Sequence, residues 1–541
     1  MQRRFRFHAV VVLAVVAVLA AGASLAAAQP APGRARMSRD LADRLSAGAG
    51  GPVQVIVQGD RARLEEVAAR HGASVRWLRH GAVLTVEGSA LAALSEDAAV
   101  DHLSGDAPVF ATMAVTAPAI GADQAWAGVG GFAGVTGRGV GVAVIDSGVK
   151  PHPALGARVV ASVDFTGAGG PGIDLYGHGT HVAGIIAAAP AVDPAVAAQA
   201  GGVAPGAHLV SLRVMGADGS GMTSDVIEAI DWAIENRERF ALRVINLSLG
   251  HPVYESYRDD PLCQAVERAV AAGLVVVAAA GNLGKTEDGT PVIGGIDSPG
   301  NSPYAITIGA LNAHGTAGRS DDTVATYSSR GPTLIDYVLK PDLAAPGNKV
   351  VSLMASGSYL ARTYPEFEVT APGPGGYFTL SGTSMSTAVV SGAAALLLEA
   401  NPGLNPLSAK LALQLGATFL PDAGLVGAGA GSLNVVASLA VAELGPAALP
   451  YTTTIGGEVV DATGLATISG EKIVWGNTIV WGNTIVWGNG AVSPDTIVWG
   501  NKIVWGSTIV WGNTIVWGNT IVWGNRTSDL GHTDDVGDEP R

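Results

Sequence analysis

A single cysteine, Cys263, stands in this chain of 541 residues, so neither an internal disulfide nor a thiol-rich metal site can be built. The same residue could in principle be a nucleophile. Its setting, "DDPLCQAVERAVAAG", reads instead as a helix start with an inert, partly buried thiol. Charge is also scarce. Only 14% of residues are charged, the net charge is −14 and no basic block occurs, which argues against nucleic acid as a partner. Apolar residues make up 48%, so large cores are available and general disorder is excluded. The length exceeds one ordinary domain.

The N-terminus reads as an export signal. Arg3, Arg4 and Arg6 precede an apolar run from Ala9 to about Leu19, and "SLAAAQP" offers small residues for cleavage after Ala28. An uncleaved membrane anchor is the competing reading, because the run approaches spanning length. The paired arginines also permit a twin-arginine route. Export predicts an extracellular protein, secreted or held at the cell surface, stabilised without disulfides by core size or ions.

Residues 29–51 are rich in Ala, Gly, Arg and Ser and read as mobile. "PVQVIVQ" then alternates like a strand, and "RARLEEVAARHG" has helical spacing that stops at Gly72. "VRWLRHGAVLTVEG" reads as two strands about a turn, and "SALAALSEDAAV" as a short helix with Ser89 at its N-cap. These form a small α+β unit of about 60 residues, followed by a linker from about Asp106 to Pro118. Beyond Ile120 the pattern changes. "GVGVAVID", "HLVSLRVM", "RVINLSL" and "GLVVVAAAGN" are nearly continuous apolar runs separated by helical segments, to about Gly445. Such strands predict an α/β fold, a mainly parallel sheet with helices on both faces. Sheets of this kind carry their sites at the carboxyl ends of the strands.

Three stretches put polar residues there. "GVAVIDSGV" ends a strand at Asp146. "YGHGTHVAGI" carries His178 and His181 at a helix start, without the glutamate that a zinc-binding H-E-x-x-H needs. "LSGTSMSTAVVSGAAALLLEANP" sets Ser384 where a glycine turn meets a long apolar helix. Each alone is ordinary loop text. Together they supply what peptide hydrolysis requires: a nucleophile, a base to take its proton and an acid that fixes the base's tautomer. Imidazole suits the base's role because it titrates near neutral pH.

In the order Asp, His, Ser, "VAVIDSGV", "GHGTHVAG" and "SGTSMS" resemble the three active-site motifs of the subtilisin-like serine proteases. The likeness spans about Ile120–Pro402, with "YSSRGP" and "KPDLAAPG" extending it. It implies a serine endopeptidase in which Asp146 orients, His178 is the base, Ser384 is the nucleophile and His181 is structural. It also implies that Asn282, at the end of "VVVAAAGN", donates to the oxyanion. The segment with Gly219, Ser220 and Gly221 and the segment with Ser248, Leu249 and Gly250 would flank an extended substrate. Ala280 and Gly281 would help form the pocket for the residue before the cut, P1. No acid is evident in that pocket, so the expected preference is apolar or broad.

Two departures from the family pattern stand out. Ala388 occupies the position, four after the nucleophile, where proline is usual. The chemistry calls for no cofactor. A structural calcium ion remains open, but the usual strong site lacks its ligands: "KPHPAL" offers Ala154, and the loop 187–202 has Asp193 as its only carboxylate. The metal ligands, if any, are unassigned. The small first unit becomes by resemblance a pro-region that assists folding and inhibits by laying its tail in the active site, with cleavage inside 106–118. The expected layout is signal peptide 1–28, pro-region 29–113, peptidase 114–445, linker 446–471, hexapeptide repeat 472–525 and acidic tail 526–541.

The repeat has the unit "[T/K]-I-V-W-G-N/S". Ile-Val-Trp-Gly recurs eight times, and "GAVSPD" at 490–495 interrupts without loss of phase, so nine hexads fill the span. Two arrangements compete: a meander with Gly-Asn turns, or a parallel solenoid with three hexads per coil and three coils. The unit carries no acid, base or metal cluster. Attachment to glycans or a cell surface, or self-association, are the partners it suggests, alongside protein substrates and the pro-region as inhibitor. A function of another class also fits: an adhesion protein with an inactive protease fold and the Trp repeats as its binding element.

Overall fold

The structure, a computed structural model, describes residues 35–46, 50–106, 108–111, 117–129, 131–167, 170, 172–189, 201–369, 375–445, 452–468 and short strands between 472 and 527. The signal segment, the loop with Asp193 and the acidic tail lie outside the described residues. The chain divides into two compact units, Met1–Gly105 and Asp106–Arg541.

The first unit has a five-stranded sheet in the order Arg36–Met37, His102–Gly105, Pro52–Gln58, Gly81–Glu87, Ser74–Leu78. Val53, Val55 and Val57 alternate into its core with Leu64, Val67 and Leu84, as a half-buried sheet requires. The helix Arg61–His71 starts on Asp60, whose carboxylate accepts from the Arg63 N–H, and stops at Gly72 in the left-handed region at φ 62°. Two expectations need correction here. Residues 29–51 are not all mobile, because Arg39–Ser46 is a helix that buries Leu41. Ser89 is no N-cap: it lies within a 3₁₀ turn, Gly88–Ala90, and the helix Leu91–Ser95 has no side-chain cap.

The second unit is built on an eight-stranded sheet. Its path runs Thr323–Val324, Ile306–Asn312, Val275–Ala279, Leu242–Leu247, Gly141–Asp146, His208–Arg213, Val159–Asp164, with Leu343–Pro346 also paired to Ile306–Asn312. All of these pairings are parallel except that of Thr323–Val324. Val142 and Val144 pack in one core cluster with the helices His178–Ala187 and Thr383–Ala400. Their neighbours Ala143 and Ile145 are equally buried and face the other side. Burial on both faces explains why these strands read as unbroken apolar runs. Thr383–Ala400 is long and apolar enough to cross a membrane, but it is the core helix of this unit. Cys263 is fully buried, not partly, near the start of the helix Pro261–Ala271. Burial pushes its thiol well above the ordinary range, so it is inert.

Both segments read as linkers contain strands. Pro108–Ala111 pairs within the second unit, and Asp106 accepts from the Ser224 N–H at 2.9 Å and its hydroxyl at 2.6 Å, at the start of the helix Thr223–Asn236. Between 446 and 471, Thr452–Ile455 and Glu458–Asp461 form an antiparallel hairpin, and Leu465–Ile468 is a further strand. Ile455, Leu465 and Ala466 are buried, and Glu458 accepts from the Arg319 and Ser320 N–H groups at 2.7 and 2.9 Å. The fold therefore continues past Gly445 to about Ile468. Short polar strands such as "TTTI" and "EVVD" hide in sequence because at most two of their four residues are apolar.

The repeat begins as a meander and continues as a coil. Lys472–Trp475 pairs antiparallel with Leu465–Ile468 and with Thr478–Trp481. Later strands pair in parallel: Thr484 with Lys502, then Lys502 with Thr514 and Thr514 with Arg526. The last two steps span twelve residues, so a coil holds two hexads rather than three. The first step spans eighteen because the degenerate hexad 490–495 falls within it. Within one such step the four-residue strand Lys502–Trp505 is followed by the two-residue strand Val510–Trp511.

Candidate active site

Asp146 is the last residue of Gly141–Asp146 and is fully buried. Its Oδ1 lies 2.7 Å from His178 Nδ1 and also accepts from the Ser147 N–H at 2.7 Å. His178 opens the helix His178–Ala187 and is equally buried. A carboxylate against Nδ1 fixes that nitrogen as the protonated one and leaves Nε2 as the base.

Sequence reading missed the residue that ties these two together. Asp174 is buried and accepts from the Gly177 N–H at 2.7 Å, the Thr180 N–H at 2.8 Å, the Thr180 hydroxyl at 2.6 Å and the Ser147 hydroxyl at 2.9 Å. Burial raises its carboxyl above the ordinary range and these donors pull it back. One side chain thus satisfies the helix's first amides and holds the residue next to Asp146. The signal was present as an acid four before His178, where a helix N-terminus favours one. His181 is also buried, with Nε2 on the Phe378 carbonyl at 3.0 Å. Burial drives it down to about 3, so it stays neutral.

Ser384 is the second residue of Thr383–Ala400 and is fully buried. Its hydroxyl donates to the Ser248 carbonyl at 2.9 Å, while the Ser248 hydroxyl donates back to the Ser384 carbonyl at 2.7 Å. Asn246 Nδ2 in turn donates to Ser248 Oγ at 2.9 Å, and the Ser391 hydroxyl to Asn246 Oδ1 at 2.9 Å. This network pins the start of the helix to the end of the neighbouring strand. Ala388 lies within the same helix, which runs unbroken to Ala400.

Asn282 follows the strand Val275–Ala279. Its Oδ1 accepts from the Thr383 N–H at 3.2 Å and hydroxyl at 3.3 Å. With the oxygen so engaged, the amide presents its N–H₂ as the free-facing donor. Gly281 is held from the other side, its N–H donating to Thr383 Oγ1 at 3.2 Å. Gly281 has φ 100°, a conformation that favours glycine.

The residues expected to flank a substrate do flank a peptide segment. Pro108–Ala111 is the middle strand of a three-stranded antiparallel sheet, between Ser220–Met222 and Leu249–Gly250. Phe110 stands opposite Ser220 and Gly250, Val109 opposite Gly221, and Ala111 opposite Leu249. Gly219 has φ 79°, and a Cβ there would collide with the ring of Tyr176, which itself stacks on Tyr359 at 5.9 Å. To Ala280 and Gly281 the structure adds a residue, whose N–H donates to the Ala280 carbonyl at 3.0 Å. Asp297 lies against Gly281, although the sequence shows no acid in that pocket.

Among the described residues no group of three or more His, Cys, Asp or Glu side chains could hold a metal ion. Ala154 leaves the "KPHPAL" turn without a carboxylate, and His152 there sits with Nε2 at 3.2 Å from the Gly376 carbonyl.

Residues 137–431 match the sequence profile of the Subtilase family. The chain is 40% identical over 305 residues to the serine protease AprX of Bacillus subtilis, covering 56% of this chain and 66% of that protein. It is 36% identical over 337 residues to an alkaline protease of Alkalihalobacillus alcalophilus, covering 62% and 74%. Among solved structures it resembles fervidolysin from Fervidobacterium pennivorans, a keratinolytic enzyme related to subtilisin, with a TM-score of 0.57 and 23% identity over 75% of this chain and 63% of that one. That last likeness concerns the fold.

Proposed function

This chain belongs to the subtilase family, and on that premise we propose that it is a secreted serine endopeptidase released from a pro-form by its own cut. Asp146, His178 and Ser384 form the triad. His178 Nε2 takes the Ser384 proton as Oγ attacks the substrate carbonyl. The imidazolium that results is stabilised by Asp146, 2.7 Å from Nδ1. The oxyanion is met by the Asn282 amide and by the Ser384 N–H at the helix N-terminus. His178 then returns the proton to the leaving amine, the acyl-enzyme forms, and water repeats the sequence in reverse roles.

The observation that carries this reading is the antiparallel seating of Pro108–Ala111 between Ser220–Met222 and Leu249–Gly250. A stretch of the chain's own sequence is held by main-chain pairing, as an extended substrate would be. Ala111, the last residue of this strand, stands opposite Leu249, next to Ser248. The Ser248 carbonyl is the one that accepts from the Ser384 hydroxyl at 2.9 Å. The maturation cut is therefore expected just past this strand, between Ala111 and Pro118, and the pro-region runs from residue 29 to that cut, about 113. Held there, the tail also inhibits until it dissociates. N-terminal sequencing of the secreted enzyme tests this. A start between residues 112 and 118 is expected, and an active product starting at residue 29 contradicts it. The repeat supplies no site residue and is assigned attachment or self-association.

A further inference from the structure

Asp297 has no part in the triad, yet it occupies the wall of the pocket beside it. Its N–H donates to the Ala280 carbonyl at 3.0 Å. The next residue, Ser298, exchanges main-chain hydrogen bonds with His251 at 2.8 and 2.9 Å, so Asp297 bridges the two walls that the Ala280–Gly281 and Leu249–Gly250 segments form. Both glycines make room for it. A Cβ on Gly281 would collide with the Asp297 carboxylate, and a Cβ on Gly250 would lie 3.2 Å from Asp297 Cβ. Asp297 as a whole is partly exposed, and its carboxylate lies against Gly281.

No hydrogen bond or salt bridge to this carboxylate occurs among the described residues. Its neighbour Asp260 differs, accepting from the Ser298 hydroxyl and the Leu262 N–H at 2.5 and 2.8 Å. Burial pushes the Asp297 carboxyl up to about 7, with the nearby His251 only partly opposing this. Asp260, beyond Ser298, is a second acid and no counter-charge. Ser298 and Ser329 are neutral, and His251 is engaged through Nδ1 with the Pro252 carbonyl at 2.8 Å and stacks on Tyr254. A carboxylate so placed lacks a partner that an incoming cation would supply.

We propose that Asp297 reads the P1 side chain and directs this enzyme to cut after lysine or arginine. The inference rests on the peptidase reading above. It corrects the expectation of an apolar or broad preference, which followed from finding no acid near Ala280 and Gly281 in sequence. The stretch that contains the maturation cut, residues 111–117, holds no lysine or arginine. That cut is intramolecular, and effective concentration replaces side-chain recognition.

The test uses matured full-chain enzyme with peptides that differ only in P1, Lys, Arg, Leu or Phe, together with benzamidine as a small cationic probe. At pH 8.5, kcat/KM for P1 Lys or Arg should exceed that for Leu by about tenfold or more. In Asp297→Asn the Lys/Leu ratio should fall about 30- to 300-fold, and competitive inhibition by benzamidine should be lost. The ratio in the native enzyme should also rise as pH increases through 7. A Lys/Leu ratio below one in the native enzyme, or one that Asp297→Asn does not alter, overturns the proposal. Labelling of Ser384 by a fluorophosphonate separates the two failures. A labelled enzyme that ignores P1 charge defeats this inference alone, and an unlabelled one that cuts no peptide defeats both readings.

Discussion

Two acids in the same domain, the buried Asp174 and the partly exposed Asp297, are treated in opposite ways. Asp174, at the end of the cleft that holds the base, takes four hydrogen bonds from its own chain. Asp297, at the pocket end, takes none among the described residues. Burial raises both carboxyls. The difference teaches which end is finished before substrate arrives. The base end is preorganised, so no reorganisation is needed at the moment of proton transfer. The pocket end is left short of a counter-charge that a substrate can bring.

The largest break in this contrast comes from the nucleophile. Ser384→Ala should abolish peptide turnover and also block maturation, leaving the uncut pro-form on a gel. Asn282→Ala should keep fluorophosphonate labelling but lower kcat by roughly 10²–10³, with little change in KM, a magnitude known from subtilisin itself. Asp174→Asn strikes the preorganised end. Gly177 and Thr180 donate to different oxygens, so the new N–H₂ group would face one of these two amides and leave a buried donor unsatisfied, at about 1–3 kcal/mol. We expect kcat to fall about 10- to 100-fold and the melting temperature to drop. Unaltered kinetics would show that Asp174 does not position the base.

The contrast also makes a pH prediction. Asp297 binds its proton more tightly folded, at about 7, than in an unfolded chain, near 4. Stability is therefore lost as pH rises from about 4 to 7. Asp297→Asn removes that loss, so it should raise the melting temperature at pH 8 and do little at pH 4. The opposite effect is expected of losing the Asp174 carboxylate, at either pH. Among the smaller effects is a truncation. A chain ending at Gly445 discards Ile455, Leu465 and the Glu458 bonds, and should melt roughly 5–10 °C below one ending at Ile468.

The triad motifs could be read in sequence because each catalytic side chain ends or begins a regular element, and strand period and helix onset are local signals. Asn282, three residues past the end of its strand, was read from the family resemblance. Asp297 was not. It lies fifteen residues beyond Asn282 and reaches the pocket only through bonds to Ala280 and, via Ser298, to His251, contacts that no local pattern encodes. The repeat shows the same limit. Its six-residue phase is plain in the letters, but twelve residues per coil is a property of which strands pair. The hairpin Thr452–Asp461 read as linker because its anchor, Glu458, finds its donors at Arg319 and Ser320, far away in the chain.

The claim on which the rest depends is that Ser384 is an activated nucleophile. Labelling of the secreted protein with a fluorophosphonate, located by peptide mass spectrometry, measures it directly. The account predicts a single adduct on Ser384 that is absent from His178→Ala. An adduct elsewhere, or none on a folded enzyme freed of its pro-region, would contradict it.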